Sequence, residues 1–392
     1  MNGTGSNRPA RPMSSWEKNL LGVRLEELPR VLTGLVTATV LAWASIWLSD
    51  YIGCQVMGYP KTPISSVTVA ILLGLVIGNA ISQPEALKAG LTFVVKKVLP
   101  LGIIFLGMGL SVLDVLRLGA MGIPIVMVCI LAALFVTTRL SARLQLPERL
   151  GTLIAVGTSI CGVSAIVAMG PAIDASDEEV AYAVSVITIF GLFATLVYPY
   201  AANWMFRGDP VRAGLFLGTA IHDTSQVTGA ALVYSDLYGL PRGLDVATVT
   251  KLVRNVFMAA VIPLMAYSHA RQSTKSTPVQ GGNPHIVNLL PRFVLGFLGL
   301  ALFRSIGDAS LQAGGRALVI WDATAWAAMV SSFKQAAVTL LVIALAGVGL
   351  NTRIRVLRGL GGKPFLVGLG AALVVGLISL LSILLLGSFI AS

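Results

Sequence analysis

The sequence predicts an all-α polytopic membrane protein with about eleven transmembrane helices and an inverted internal repeat. Three observations carry that prediction. The 392-residue chain is 56% hydrophobic and only 11% charged, and its mean hydropathy of +0.85 leaves too little polar surface for a soluble domain of this size. Its apolar residues fall into runs near the roughly 20 residues that cross a bilayer as a helix. Lys and Arg collect in alternate loops, as the positive-inside rule requires.

Residues 1–28 are a polar leader rich in Arg, Ser, Pro and Asn. Within residues 16–30, Trp16, Leu20, Leu21, Leu25 and Leu28 have the spacing of an interfacial helix lying on the membrane, with a solvated tail as the alternative. No small-residue cleavage site follows a short apolar core, so no removable signal peptide is expected. Residues 29–392 then form a single transmembrane domain. Its apolar spans are 31–50, 64–80, 98–116, 119–138, 150–172, 180–204, 213–235, 246–268, 287–305, 323–350 and 364–390. The second is short and carries Gly74 and Gly78 at G-x-x-x-G spacing, a helix-packing signal.

With the N-terminus in the cytoplasm, the inside segments hold 20 Lys and Arg and the outside segments five: Lys61, Arg117, Arg242, Arg304 and Arg316. The remaining three of 28, Lys251, Arg254 and Lys334, fall inside apolar spans. The asymmetry predicts a multi-pass membrane protein with its N-terminus in the cytoplasm and its C-terminus outside. It also accounts for the net charge of +11 without nucleic acid as a partner; membrane lipids are the expected surroundings. The acidic run Asp174, Asp177, Glu178 and Glu179 is then expected outside, as a solvated loop. Cys54, Cys129 and Cys161 are scattered, and neither a disulfide framework nor a metal cluster is indicated.

The inverted repeat rests on an echo. At a constant offset of 240, Gly107, Gly109, Leu110, Gly119, Gly122 and Pro124 recur as Gly347, Gly349, Leu350, Gly359, Gly362 and Pro364. The copies are seven spans apart, an odd number, so they run in opposite directions, as the halves of secondary transporters do. Shared helix-end chemistry is the alternative.

Four segments carry chemistry. The fifth span contains G-T-S-I-C-G-V-S-A, residues 157–165. Gly157 and Gly162 each weaken a helix by roughly 1 kcal/mol relative to Ala, and an unwound stretch is tolerated only where it lines a cavity or is covered by protein. A half-helix starting there presents free N–H groups to an anion, with Thr158, Ser159 and Ser164 as hydroxyl donors. A tight small-residue helix contact is the other reading. The seventh span contains G-T-A-I-H-D-T-S-Q-V-T-G, residues 218–229, which echoes the first as G-T-[SA]-I-x-x-x-S. Its His222, Asp223 and Gln226 are too polar for a lipid-facing helix, and a deep His–Asp pair can hold a cation or carry a proton. The eighth span opens V-T-K-L-V-R-N, so Lys251, Arg254 and Asn255 share one helix face. Lys251 is near enough to the span's start for snorkelling to be the alternative. The tenth contains S-S-F-K-Q, with Lys334 and Gln335 deep in the span unless a re-entrant segment begins there.

Buried cations in hydrocarbon cost several kcal/mol and mark functional sites. Three of them plus His222 against Asp223 make a net-positive site suited to an anion. P-loop, Rossmann, H-E-x-x-H and G-x-S-x-G patterns are absent from the sequence, so no enzyme is expected.

Together these four motifs, ending in G-V-G-L-N-T, resemble the YeiH-type sulfate exporter family of bacterial inner-membrane proteins, from about residue 30 to the C-terminus. The resemblance places the chain with the bile-acid:sodium symporter and cation:proton antiporter-like superfamily. It implies two inverted repeats, discontinuous helices crossing at the midplane, elevator-type movement and a scaffold that forms a homodimer. It implies that Ser159, Cys161, Gly162, Ser164, His222, Asp223, Gln226, Lys251, Arg254 and Lys334 line the site, beside Asn255 and Gln335. The expected function is secondary-active transport of a small oxyanion: sulfate, sulfite or an organosulfonate. Arg254 and Lys334 are expected to neutralise it, the break at Cys161 and Gly162 to donate N–H groups, and His222 and Asp223 to serve the coupling ion, H+ or Na+. No cofactor is expected. A sodium- or proton-coupled carrier of a larger organic anion and a passive anion channel are the competing readings.

Overall fold

In the computed structural model, residues 28–58, 62, 65–81, 84–272, 292–353 and 362–390 are described. Most of the expected interfacial helix at 16–30 and Gly359 of the sequence echo lie outside them. The described residues form fifteen helices: α1 (Leu28–Asp50), α2 (Ser66–Ala80), α3 (Glu85–Phe93), α4 (Leu99–Leu106), α5 (Val112–Arg143), α6 (Glu148–Ser159), α7 (Val163–Met169), α8 (Asp177–Phe206), α9 (Pro210–Ala220), α10 (Thr224–Tyr238), α11 (Pro241–Val256), α12 (Met258–Gln272), α13 (Arg292–Gly314), α14 (Ala323–Asn351) and α15 (Gly362–Ile390). Among the described residues there is no β-strand beyond one isolated bridge, Ala317 to Trp321.

Eight helical segments among the described residues are long and apolar enough to cross a membrane: Val31–Val56, Leu87–Gly109, Val112–Arg143, Asp177–Phe206, Pro241–His269, Arg292–Gly314, Ala323–Asn351 and Gly362–Leu386. The chain is thus a multi-pass membrane protein. The expected span at 98–116 starts earlier, at Leu87, because Lys96 and Lys97 sit in a wide helical turn at Val94–Val98 rather than in a loop. It ends at Gly109, and Ser111 caps the next helix by accepting a bond from Asp114 N at 3.1 Å.

The three other expected spans differ. One is α2, only 15 residues long. The expected spans 150–172 and 213–235 are each broken into two short helices, α6–α7 and α9–α10. Neither pair crosses. The N-terminal part of α15 lies beside the C-terminal end of α5, where a Cβ on Gly370 would be 2.5 Å from Leu140. Helix α8 runs parallel to α15: the rings of Phe190 and Phe365 meet at 5.0 Å in a tilted pair, and Tyr198 lies 3.0 Å from the Cβ position of Gly376. So α8 starts on the face where α5 ends, and α6–α7 enters and leaves by that one face. The ends of α12 agree. Met258 Sδ lies 3.6 Å from Cys161 Sγ at the break, and His269 Nδ1 lies 2.9 Å from Glu148 at the start of α6. Ile173, just past α7, packs back with Val261 and Ile262 of α12.

The second pair enters from the opposite face. Helix α9 runs parallel to α11, with Gly214 beside Val246 (2.6 Å to a Cβ position) and Gly218 beside Thr250 (2.8 Å). Helix α10 runs back along α11, and Tyr234 near its end lies 2.7 Å from the Cβ position of Gly243 near the start of α11. Both breaks are therefore tips of re-entrant hairpins. This revises the expected sidedness between them. The acidic run lies on the face where α5 ends, and Arg207 and Arg212 move to the other face. Asp177, Glu178 and Glu179 are the first turn of α8, where negative charge offsets the helix dipole, and Ser176 and Glu179 form a capping box.

The helices pack in two groups. The first holds α1–α4, α13 and α14; the second holds both hairpins with α5, α8, α11, α12 and α15. In the first group α2 and α14 run close through the predicted small-residue seam, where a Cβ on Gly74 would be 2.7 Å from Ala346 O. The repeat copies also meet: α4 packs antiparallel to α14, and α5 packs on α15. Helix α10 bridges the groups by touching α2 and α14, with Gly229 against Leu345.

Candidate functional site

The two tips are built alike. Helices α6 and α9 end at Ser159 and Ala220, and α7 and α10 begin at Val163 and Thr224, in each case 61 positions apart. The echo G-T-[SA]-I-x-x-x-S is thus the sequence of a hairpin tip used twice. Thr158 donates to Ile154 O at 2.7 Å and Thr219 to Leu215 O at 2.6 Å, the same bond 61 residues on. As expected spans the two would run in one direction; as hairpins from opposite faces they are inverted.

The tips meet in the interior. Gly162 has φ +72° and ψ −121°, a backbone region open to glycine, and a Cβ there would lie 3.1 Å from Asp223 Cα. Two half-helices thus end with their C-termini pointing at one place. Their last carbonyls lack helical partners and carry the negative ends of two dipoles. Lys251 and Arg254, both fully buried on α11, fill that place. Lys251 Nζ donates to Ile160 O (2.9 Å), Ile221 O (3.2 Å) and His222 O. Arg254 donates through Nε to Ser159 O (2.8 Å), through Nη1 to Thr219 O (2.8 Å) and Ile221 O (3.1 Å), and through Nη2 to Thr158 O. Each cation therefore ties one hairpin to the other. Snorkelling of Lys251 is corrected by this geometry: it is a central residue.

The expected role of Arg254 as a direct anion ligand changes as well. All three donors of Lys251 and four of the five N–H groups of Arg254 are engaged by carbonyls. The charges remain, but they act on the site through the hairpin backbone.

The other expected residues divide. Asp223 caps α10, its Oδ1 accepting from Ser225 N at 2.9 Å and from the Ser225 hydroxyl; Asp223 and Thr224 are half-buried, and Ser164 is exposed. Asn255 is buried and donates to Thr224 Oγ1 at 3.3 Å. Gln226 is buried and donates to Thr188 O at 2.9 Å. His222 Nδ1, Gln226 Oε1 and Asn255 Oδ1 are buried without a hydrogen-bond partner. Ser159 and Cys161 are buried at the first tip. Lys334 and Gln335 do not join this set. Both are exposed on α14, in the other group of helices, and Lys334 Cε lies 3.1 Å from the Cβ position of Gly109. Depth along a span does not say what a side chain meets, and Lys334 is exposed beside Gly109 rather than enclosed with the tips.

One residue the sequence reading passed over is Asp245. It sits in the second turn of α11, half-buried, within electrostatic reach of Lys334, Arg242 and Asp114. The signal was there but lay one residue before the expected span 246–268.

Fold and site define a multi-pass membrane protein with two inverted re-entrant hairpins joined by buried cations. The chain matches the family model described as Conserved hypothetical protein 698 over residues 33–368. It is 32% identical to the UPF0324 membrane protein of Streptococcus agalactiae over 358 residues, 91% of this chain and 98% of that one. It is 32% identical to one from Streptococcus pyogenes over 368 residues, 94% and 99% of the two chains. It is 31% identical to one from Fusobacterium nucleatum over 313 residues, 79% and 88%. The chain belongs to this family, the UPF0324 membrane proteins. No solved structure matches it.

Proposed function

We propose that this protein is a secondary transporter that carries a small oxyanion across a bacterial inner membrane, with its N-terminus in the cytoplasm. One observation carries the reading: two hairpins from opposite faces meet tip to tip around two fully buried cations and a single carboxylate. Irregular backbone at membrane depth is tolerated where protein covers it or it lines a cavity, and paired broken segments in inverted orientation are how secondary carriers build a central site. Lys251 and Arg254 against Asp223 leave the tips net positive, which favours an anion. The donors at the open edge are the hydroxyls of Ser164 and Thr224, with the first-turn N–H groups of α7 behind Ser164. Sulfate and sulfite head the candidates because of the motif resemblance, with organosulfonates next.

In this reading the hairpin group moves as an elevator against α1–α4, α13 and α14, and α10 slides on α2 and α14. The unpartnered oxygens of Gln226 and Asn255 are acceptors that suit Na+ as the coupling ion, whereas coupling to H+ requires a titratable group. The test is flux into proteoliposomes holding the purified protein. Saturable uptake and counterflow of labelled sulfite or sulfate, competed by the other anion, is the expected result. Conductance without saturation would replace the carrier with a channel, and counterflow only of carboxylates would move the substrate to the larger organic anions.

A further inference from the structure

We propose that Asp245 is the proton-carrying group of this transporter, with Lys334 on the opposing group of helices as the charge that governs it; the inference rests on the transport reading above. Asp245 lies on α11, two turns before Lys251 and three residues after Arg242. Its surroundings are half-buried and among the described residues no cation lies within ion-pair distance of it. The neighbouring charges are few. Arg242, from its own helix, is turned to Asp114 of α5 at 3.7 Å. Asp114 is further held by the hydroxyl of Ser111 at 2.8 Å. Lys334, from α14, is the remaining cation: it lies against Gly109, two residues before the Ser111 that holds the Asp114 paired to Arg242.

The placement matters because α11 and α14 belong to different groups. A carboxylate near hydrocarbon stays ionised while a cation is close and takes up a proton when that cation withdraws. Relative movement of the groups changes the Asp245–Lys334 separation. The carboxylate near the opposite-face end of α11 is thus protonated from that face in one state and gives the proton up to the other side in the other state. One proton binds and one is given up per cycle, with no other reactant. Asp223 is poorly placed for this task, since one of its oxygens already caps α10.

The experiment uses the full chain in proteoliposomes containing a trapped pH indicator, with labelled sulfite and sulfate as probes. Wild-type protein is expected to move protons with the anion and to accumulate it along a pH gradient. Asp245→Asn is expected to lose proton movement and gradient-driven accumulation by about tenfold or more, while counterflow, which needs no net proton, stays within about threefold. Lys334→Gln keeps the carboxylate and removes the cation, so the pH of half-maximal proton coupling is expected to rise by about one unit. It serves also if Asp245→Asn fails to fold. Proton-driven accumulation by folded Asp245→Asn, or an unshifted profile in Lys334→Gln, overturns the inference. Wild-type flux without proton movement overturns it and leaves the transport reading standing. Absence of wild-type flux overturns both.

Discussion

Arg254→Met is expected to be the most damaging single substitution in the chain. The guanidinium satisfies carbonyls of Thr158 and Ser159 from one hairpin and of Thr219 and Ile221 from the other. Its removal strands three buried acceptors, Thr158 O, Ser159 O and Thr219 O, at the negative ends of two helix dipoles, while Ile221 O keeps its bond from Lys251. Each buried group left unpaired costs about 1–3 kcal/mol, so a loss of about 4 kcal/mol or more is expected even if the tips partly relax. Arg254→Lys should recover only part of this, because an ammonium cannot reproduce the planar fork that reaches both hairpins. Thermal unfolding in detergent checks the prediction: a large fall in Tm for Arg254→Met with an intermediate value for Arg254→Lys. Equal and small effects of both would show that neither the bridge nor the charge holds the tips, and full recovery by Arg254→Lys would show that the charge, not the fork, is what matters.

The second large effect belongs to Gly162. Its backbone, at φ +72° and ψ −121°, strains any residue with a Cβ, at a cost of about 1–3 kcal/mol. The added atom would also sit 3.1 Å from Asp223 Cα, Cβ and Oδ2. Gly162→Ala is therefore expected to push the two tips apart and to disturb the Asp223 cap. Transport should fall more than stability does, because the contact joins the tips while most of the fold packs elsewhere. Sulfite flux and Tm measured on the same preparation separate the two. A variant with normal flux would show that the tips need not meet.

The class of fold was legible from hydropathy and the first break from its glycines, while the second was legible only as an echo of the first motif. Both tips carry the same G-T-[SA]-I-x-x-x-S signature, and both helices break just after its first three residues. What the sequence did not disclose is direction. A span of some 20 apolar residues has the same hydropathy whether it crosses or turns back, and here the reversal depends on local geometry such as that of Gly162. Two hidden reversals cancel, so the loops beyond α10 keep their expected sides, and only Asp174–Glu179 and Arg207–Arg212 reveal the change. The cations show the same limit. Lys251 lies deeper than its expected span suggests because α11 begins at Pro241, and Lys334, though well inside α14, is exposed and apart from the tips. Arg254 was rightly marked as anomalous, but its partners are backbone carbonyls, which leave no trace in a sequence.

Everything proposed for the site depends on the hairpins turning back, and sidedness decides that. In a background with Cys54, Cys129 and Cys161 replaced, single cysteines at Gln145, Ser176 and Gly208 report on the loops before α6, before α8 and before α9. With a membrane-impermeant maleimide on sealed vesicles of known orientation, the hairpin fold predicts that positions 145 and 176 label from one face and 208 from the other. Labelling of 176 from the face opposite to 145, with 208 sharing the side of 145, would mean that residues 150–172 cross the membrane and would contradict the account.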